Sequence, residues 1–267
     1  MIRVSLLQES RADEGIFYPL IQRMKGDERF KLEVIHRSNT WTNPDWLIVL
    51  GDRREMLVAT IEAAYRNIPV AHIQGGDRSG TIDDPTRHAI TRFAHIHFPC
   101  TPESAKRIRT MGEEDWRIHL VGPLGIYAVH NVEYRNKEWL CSQFNLNPER
   151  EIILVIQHPV STERENAGEQ MKATLEALKE VEGYQSIIIH PNNDPGSEDM
   201  VREIKKANVK HFANLPYLDF ISLLKSSSVV VGNSSTGLYE APLFGVPSVN
   251  IGSRQRDREH GNTVYQC

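Results

Sequence analysis

The densest run of chemistry-bearing side chains is His72-Ile73-Gln74-Gly75-Gly76-Asp77-Arg78-Ser79-Gly80-Thr81-Ile82-Asp83-Asp84-Pro85-Thr86-Arg87-His88, which holds three carboxylates, two arginines and two histidines. Carboxylates crowded together push one another's pKa apart, so one residue type can supply both an acid and a base. Gly75, Gly76 and Gly80 let the backbone approach a ligand closely. Asp83 and Arg87 lie four residues apart and share a face if a helix starts there, where a solvated ion pair would also satisfy them. A loop that is both glycine-rich and charged is a poor structural element, and the run reads as functional.

The other candidates also follow short apolar runs. Gly51-Asp52-Arg53 comes after Trp-Leu-Ile-Val-Leu; Asp52 there can act as a general acid or base, or cap the next helix. Glu9-Ser10-Arg11-Ala12-Asp13 opens a helix whose N–H groups, with Arg11, suit an anion, although Ser10 or Asp13 would equally serve as a cap. In Gln157-His158-Pro159 the proline keeps His158 extended, and the imidazole can exchange a proton near neutrality. Pro191-Asn192-Asn193-Asp194-Pro195-Gly196 has turn composition. Gly232-Asn233-Ser234-Ser235-Thr236-Gly237, followed by Glu240, offers hydroxyls and N–H groups at a helix start, a diphosphate cradle without the lysine of a Walker A loop.

The elements that must position these residues alternate along the chain. Continuous apolar runs at Ile2–Leu7, Leu32–His36, Trp46–Leu50, Val70–Ile73, Ile96–Pro99 and Ile118–Val121 predict parallel strands buried on both faces. Helical spacing is clearest over Glu55–Arg66. After a Gly, Pro and polar break the pattern resumes with strands at Ile152–Ile156, Ile187–His190, Val209–Phe212, Val229–Val231 and Ser248–Ile251, separated by helices at Glu163–Val181, Ser197–Ala207 and Leu218–Lys225. This predicts an α/β protein of two Rossmann-like domains, 1–126 and 151–267, joined by a linker and helix at 127–150. Ligands in such folds sit beyond the carboxyl ends of the strands, and a cleft between two such domains is the default site. The strands ending at His36 and beginning at Trp46 are joined too tightly to be parallel neighbours.

Composition bounds the function. The 267 residues are 40% hydrophobic and 25% charged with a net charge of −4, an ordinary globular balance that argues against nucleic acid. No apolar run approaches a membrane span and no secretory leader is visible, so a cytoplasmic protein is expected. Cys100, Cys141 and Cys267 form no metal or redox motif.

With these residues in view, the chain resembles the hydrolysing UDP-N-acetylglucosamine 2-epimerases of sialic-acid-type sugar synthesis. The resemblance runs through SRADEG, VLGDR, HIQGGDRSGTIDDPTRHAITR, VIQHPVSTE, HPNNDPGS, NLPYLDF and GNSSTGLYEAPLFGVPSVNIGSRQRDRE. It implies a GT-B-like fold and UDP held by the C-terminal domain, with Ser234, Ser235 and Gly237 at the diphosphate and Glu240 at the ribose. His158, Asn192 and Arg254 line the same site, and Arg11, Asp13 and Arg53 make N-terminal contacts. Asp52, Asp77, Asp83, Asp84 and Arg87 fall on catalytic and sugar-contacting positions, and His158 joins the catalytic set. Asp77 stands where the family often has glutamate, one methylene longer. The implied reaction takes the proton from C2 while UDP leaves C1, then hydrates the glycal to an N-acetylmannosamine-type sugar. No metal or cofactor is implied, and a homodimer or homotetramer is. The stretch after Arg37 is shorter than the family's, and a helical segment after Val264 is missing, so weak turnover alongside UDP binding is expected. A GT-B glycosyltransferase and a non-catalytic UDP-sugar binder are the competing readings.

Overall fold

The computed structural model describes every residue except Ser10, residues 37–41, Thr81 and Asn131, and every side chain apart from these and those of Arg11, Ala12, Tyr127, Ala128 and His130. The chain divides into two units, Met1–His130 and Asn131–Cys267. No helix of the described residues is long and apolar enough to cross a membrane.

The first unit runs β1 (Ile2–Leu7), α1 (Arg11–Lys25), β2 (Phe30–Ile35), β3 (Trp46–Leu50), α2 (Arg54–Tyr65), β4 (Val70–Ile73), α3 (Asp83–Phe93), β5 (Ile96–Phe98), α4 (Pro102–Thr110) and α5 (Gly125–His130). Its parallel sheet has the order β2-β1-β3-β4-β5. Strand β1 therefore lies between β2 and β3, as their short link requires. Alternate residues face opposite helical layers. Leu7, Leu47 and Val49 pack with Met56, Ala59, Ala63 and Ile90 from α2 and α3, while Leu6, Leu50 and Ile73 pack with Phe17 and Ile21 from α1. Each fully buried side chain of this size contributes roughly 1.5–3 kcal/mol against exposure. Thr101 accepts the Ser104 N–H ahead of Pro102, a cap and first-turn proline that start α4.

One expected strand is absent. Ile118–Val121 runs beside β5 and makes a single parallel bridge, Ile118 to His97. His119 donates to the His97 carbonyl at 2.9 Å and Val121 to that of Pro99 at 3.2 Å. Pro99 has no N–H to return, so the ladder does not propagate.

The second unit runs α6 (Lys137–Phe144), β6 (Glu151–Ile156), α7 (Ala167–Lys179), β7 (Tyr184–Ile189), α8 (Ser197–Lys206), β8 (Lys210–Phe212), α9 (Tyr217–Lys225), β9 (Val229–Gly232), α10 (Thr236–Tyr239), β10 (Ser248–Asn250) and β11 (Val264–Gln266). Its parallel sheet has the order β11-β10-β9-β6-β7-β8. Ile153, Val155 and Ile188 face Met171, Leu175, Met200 and Ile204 of α7 and α8; Leu154, Ile156 and Ile187 face Leu140, Ile221 and Leu224 of α6 and α9. The short β11 carries no apolar run and was not expected. The helix expected from Glu163 begins at Ala167, because Ser161–Asn166 is a 3-10 turn broken by non-helical Glu163.

Candidate functional site

In the first unit, the charged loop after β4 and the turn after β3 converge on one side chain. Arg87, on α3, is 1% exposed. Its Nη2 bonds the Asp52 carboxylate, while Nη1 donates to Asp84 Oδ1 at 2.7 Å and to the Asp77 carbonyl at 2.9 Å. A guanidinium suits this work because its fixed fork serves several acceptors at once. The expected ion pair of α3 is therefore made with Asp84, and Arg87 is a buried hub of the cluster. Asp83 begins α3 and is half-buried.

Asp84 also caps the loop, accepting from the Ser79 N–H at 2.8 Å, the Ser79 hydroxyl at 2.9 Å and the Gly80 N–H at 2.9 Å. Burial pushes the Asp84 carboxyl up, but those donors and Arg87 hold it below the usual carboxylate range. The Asp77 carboxylate is buried and accepts from the Ser104 hydroxyl of α4 at 2.7 Å. The Asp52 side chain is 24% exposed and thus combines a charged partner with access to solvent.

Beneath this cluster lies His72 of β4, fully buried. Its Nε2 is 2.8 Å from the carbonyl of Gly51, next to Asp52, and its Nδ1 is 3.2 Å from the Thr91 hydroxyl. Desolvation pushes His72 down to about 3, so the ring is neutral, with Nε2–H donating to the carbonyl. A Cβ at Gly75 would stand 2.8 Å from His72 Nδ1, so the loop closes over the imidazole only with glycine there. Asp13, in the first turn of α1, accepts the Glu9 N–H at 3.0 Å and lies 3.7 Å from Arg53. The Arg11 side chain expected beside them lies outside the described residues.

The second unit gathers its candidates at the carboxyl ends of β6, β7, β9 and β10. The His158 Nδ1 accepts the Asn192 N–H at 3.1 Å. Asn233 holds the His158 backbone on both sides, and its own carbonyl accepts Arg254 Nη1 at 3.2 Å and Gln255 Nε2 at 3.0 Å. Ser234 Oγ accepts the Thr236 N–H at 3.3 Å. The N–H groups of Ser234 and Ser235 have no hydrogen-bond acceptor among the described residues, which suits an anion there. Glu240 follows α10, and its Oε2 is buried without a hydrogen-bond partner among the described residues. Desolvation pushes this carboxyl up to about 7 against the pull of Arg258 and Thr236.

One expectation here is sharpened. The helix opened by the Gly-Asn-Ser-Ser loop is a single turn, α10, running into a 3-10 turn at Ala241–Phe244 that ends at left-handed Gly245. Pro242 has no N–H with which to continue it, so any cradle rests on local N–H groups rather than a long helix dipole. Gly237 is fixed by packing: its carbonyl accepts the Ser248 hydroxyl at 2.7 Å, and an added Cβ would stand 3.2 Å from Ser248 Cβ.

Sequence reasoning placed His72 and Asn233 within functional runs but gave neither of them, nor Thr91, Ser104 or Gln255, an individual role. Nothing in the local sequence separates Asn233 from an ordinary turn asparagine; its role depends on β6 and β9 being neighbours.

A model of the UDP-N-acetylglucosamine 2-epimerase family matches residues 31–267. A UDP-N,N'-diacetylbacillosamine 2-epimerase (hydrolyzing) of Legionella pneumophila is 37% identical over 244 residues, covering 90% of this chain and 63% of the relative. A UDP-N-acetylglucosamine 2-epimerase of Neisseria meningitidis is 34% identical, covering 86% of the chain and 61% of the relative. The chain thus spans under two thirds of the length of these relatives. Among solved structures, the S. aureus MnaA–UDP co-structure superposes with a TM-score of 0.79 at 16% identity, covering 96% of this chain and 80% of that one. The Neisseria meningitidis UDP-GlcNAc 2-epimerase bound to UDP-GlcNAc gives 0.77 at 18% identity, covering 93% and 82%. Both show the same fold of two Rossmann-like units, the GT-B-like class expected.

Proposed function

The chain belongs to the UDP-N-acetylglucosamine 2-epimerase family, and from that premise we propose that it is a hydrolysing 2-epimerase of a UDP-2-acetamido sugar. The observation that carries the reading is the gathering of the Asp52 and Asp84 carboxylates and the Asp77 carbonyl about buried Arg87, with the Asp77 carboxylate held by the Ser104 hydroxyl. Proton removal at a weakly acidic carbon needs a placed carboxylate, and hydration of the resulting double bond needs a proton returned. Asp52 or Asp77 is the base in this scheme, with Asp83 as its partner.

The chemistry proceeds in two balanced steps. A carboxylate takes the C2 proton, the C1–O bond to the diphosphate breaks, and a C1–C2 double bond forms, releasing UDP. Water then adds its hydroxyl to C1 and a proton to C2 on the opposite face, giving the N-acetylmannosamine-type product. The second unit holds the nucleotide: the N–H groups of Ser234 and Ser235, with Arg254 and His158, take the diphosphate as its charge grows. Glu240 takes a ribose hydroxyl with its buried Oε2, which has no hydrogen-bond partner among the described residues. A role in sialic-acid-type synthesis is supported by a relative named a polysialic acid biosynthesis protein, and the names of the relatives support UDP-N-acetylglucosamine and a diacetamido UDP sugar as the two substrates to test.

The test is incubation with each of these two UDP sugars, without an acceptor, followed by proton NMR. Release of UDP with inversion at C2, and deuterium at C2 in D2O, is expected. Release of UDP with retained C2 configuration and no deuterium would sink the reading, and so would turnover that requires an acceptor. Asp52→Asn, Asp77→Asn and Asp83→Asn should each cut turnover by orders of magnitude while UDP still binds; undiminished turnover removes that residue from the scheme.

A further inference from the structure

The Gly-Asn-Ser-Ser loop contains a side chain whose oxygen and nitrogen both bond inside the protein. Asn233 is 3% exposed. Its Oδ1 accepts the His158 N–H at 2.7 Å, and its Nδ2 donates to the His158 carbonyl at 2.9 Å. The backbone N–H of Asn233 donates to the Ile156 carbonyl at 3.1 Å. Strands β6 and β9 pair up to Ile156 and Gly232. The Asn233 carboxamide continues that ladder by one rung past the strand ends, with a side chain taking the place of a backbone. An added Cβ at Gly232 would stand 2.1 Å from the Ile156 carbonyl oxygen, so the two chains meet here as closely as backbones can.

The consequence falls on the His158 ring. With its backbone fixed on both sides, and kept extended by Pro159, His158 directs Nδ1 at the Asn192 N–H, 3.1 Å away. An N–H donor needs a lone pair, so Nδ1 carries no proton and the neutral ring holds its hydrogen on Nε2. A ring so arranged offers a donor, the form an anionic oxygen requires. The carboxamide orientation is set by the same bonds, because a His158 N–H demands an oxygen and a His158 carbonyl demands an N–H.

We propose that Asn233 is a positioning residue that fixes His158 as its Nε2–H tautomer for hydrogen bonding to the nucleotide diphosphate. This rests on the reading of the second unit as the nucleotide site. Alanine removes both bonds to His158. Aspartate keeps the shape and the acceptor but sets a carboxylate oxygen against the His158 carbonyl.

The experiment is long-range proton–nitrogen NMR of the whole chain at pH 7.5, with the His158 ring assigned by its loss in His158→Ala, alongside calorimetric titration with UDP. Expected is an Nε2–H ring in the wild type. In Asn233→Ala and Asn233→Asp, an Nδ1–H population should appear and the Kd for UDP should rise about tenfold or more, as loss of charge-assisted bonds commonly gives. A wild-type ring protonated on Nδ1 overturns the proposal. So does an unchanged tautomer in both variants, even with weakened UDP binding, because Asn233 would then act on stability alone. Should His158→Ala bind UDP as tightly as wild type, the diphosphate role of His158 is wrong, whereas the tautomer comparison still decides whether Asn233 positions the ring.

Discussion

The guanidinium of Arg87, 1% exposed, bonds the carboxylate of Asp52, with α3 supplying the cation and the turn after β3 the acid. A buried cation of this kind is costly unless every donor is matched. Here Asp52, Asp84 and the Asp77 carbonyl take three of its N–H groups, two of them with opposing charge, and its position in turn fixes where the acidic groups stand.

Arg87→Ala should therefore cost far more than a lost surface pair. Removing one partner of a buried ion pair typically costs about 3–5 kcal/mol, since the remaining charge is left uncompensated. A lowered denaturation midpoint for the transition of the first unit is expected, read by urea titration. Arg87→Lys keeps a charge but loses the fork; it should recover part of the stability and little turnover. Full turnover in Arg87→Lys would show that the geometry of the fork is irrelevant to the reaction.

His72 gives a pH-dependent prediction. Its folded pKa, about 3, lies below the unfolded value of about 6.5. Between those values the unfolded chain binds the extra proton, so the stability contributed by the neutral ring is complete above pH 6.5 and is lost as pH falls toward 3. His72→Gln has no such proton to bind. The stability difference between wild type and His72→Gln should shrink steadily from pH 7.5 to pH 5, measured by urea midpoints. A constant difference would mean that His72 is charged in the folded protein or takes up no proton on unfolding.

The parts of this architecture that depend on local pattern were readable before any coordinates. Trp46–Leu50 and Val70–Ile73 are strands because a continuous apolar run is the signature of a strand covered on both faces. Asp52 and Asp77 were legible as acids at strand tips for the same reason: the strands announce where their tips are. Arg87 was visible as a charge on α3, but its burial depends on β3 and β4 being neighbours, which no local pattern encodes. Asn233 and His72 are more extreme cases, because Asn233 bonds the backbone of the loop after β6, and His72 the Gly51 carbonyl and the Thr91 hydroxyl of α3. Ile118–Val121 failed in the opposite direction: the apolar run is present, but Pro99 denies it the reciprocal N–H that a ladder needs.

Gly232 tests how closely the two strand ends must approach. Its φ is 135°, a region closed to other residues, and an added Cβ would meet the Ile156 carbonyl oxygen and the Gln157 nitrogen. Gly232→Ala should destabilise the second unit by about 3 kcal/mol or more through strain and forced separation of backbones. Circular dichroism during thermal unfolding should show the transition of that unit moved down or lost. An unaltered transition would mean that the loop relaxes freely, and the rung formed by Asn233 would not depend on this contact.

Glu240 makes the last prediction, and two effects of opposite sign must be separated. In the free protein its carboxyl, pushed up to about 7 by burial, holds its proton when the unfolded chain, near 4.5, has lost its own. The associated stability is complete below pH 4.5 and disappears as pH rises through 7. Nucleotide binding runs the other way. A ribose hydroxyl donating to the buried Oε2 favours the ionised carboxylate, so UDP affinity should rise with pH across 7. UDP itself also gains charge on its terminal phosphate over this range, so the comparison must be with Glu240→Gln, which shares that contribution. Calorimetric titration at pH 6 and pH 8 should show a larger gain in affinity for wild type than for Glu240→Gln. Equal gains in the two proteins would mean that Glu240 accepts no bond from the nucleotide, and its buried oxygen would need another occupant.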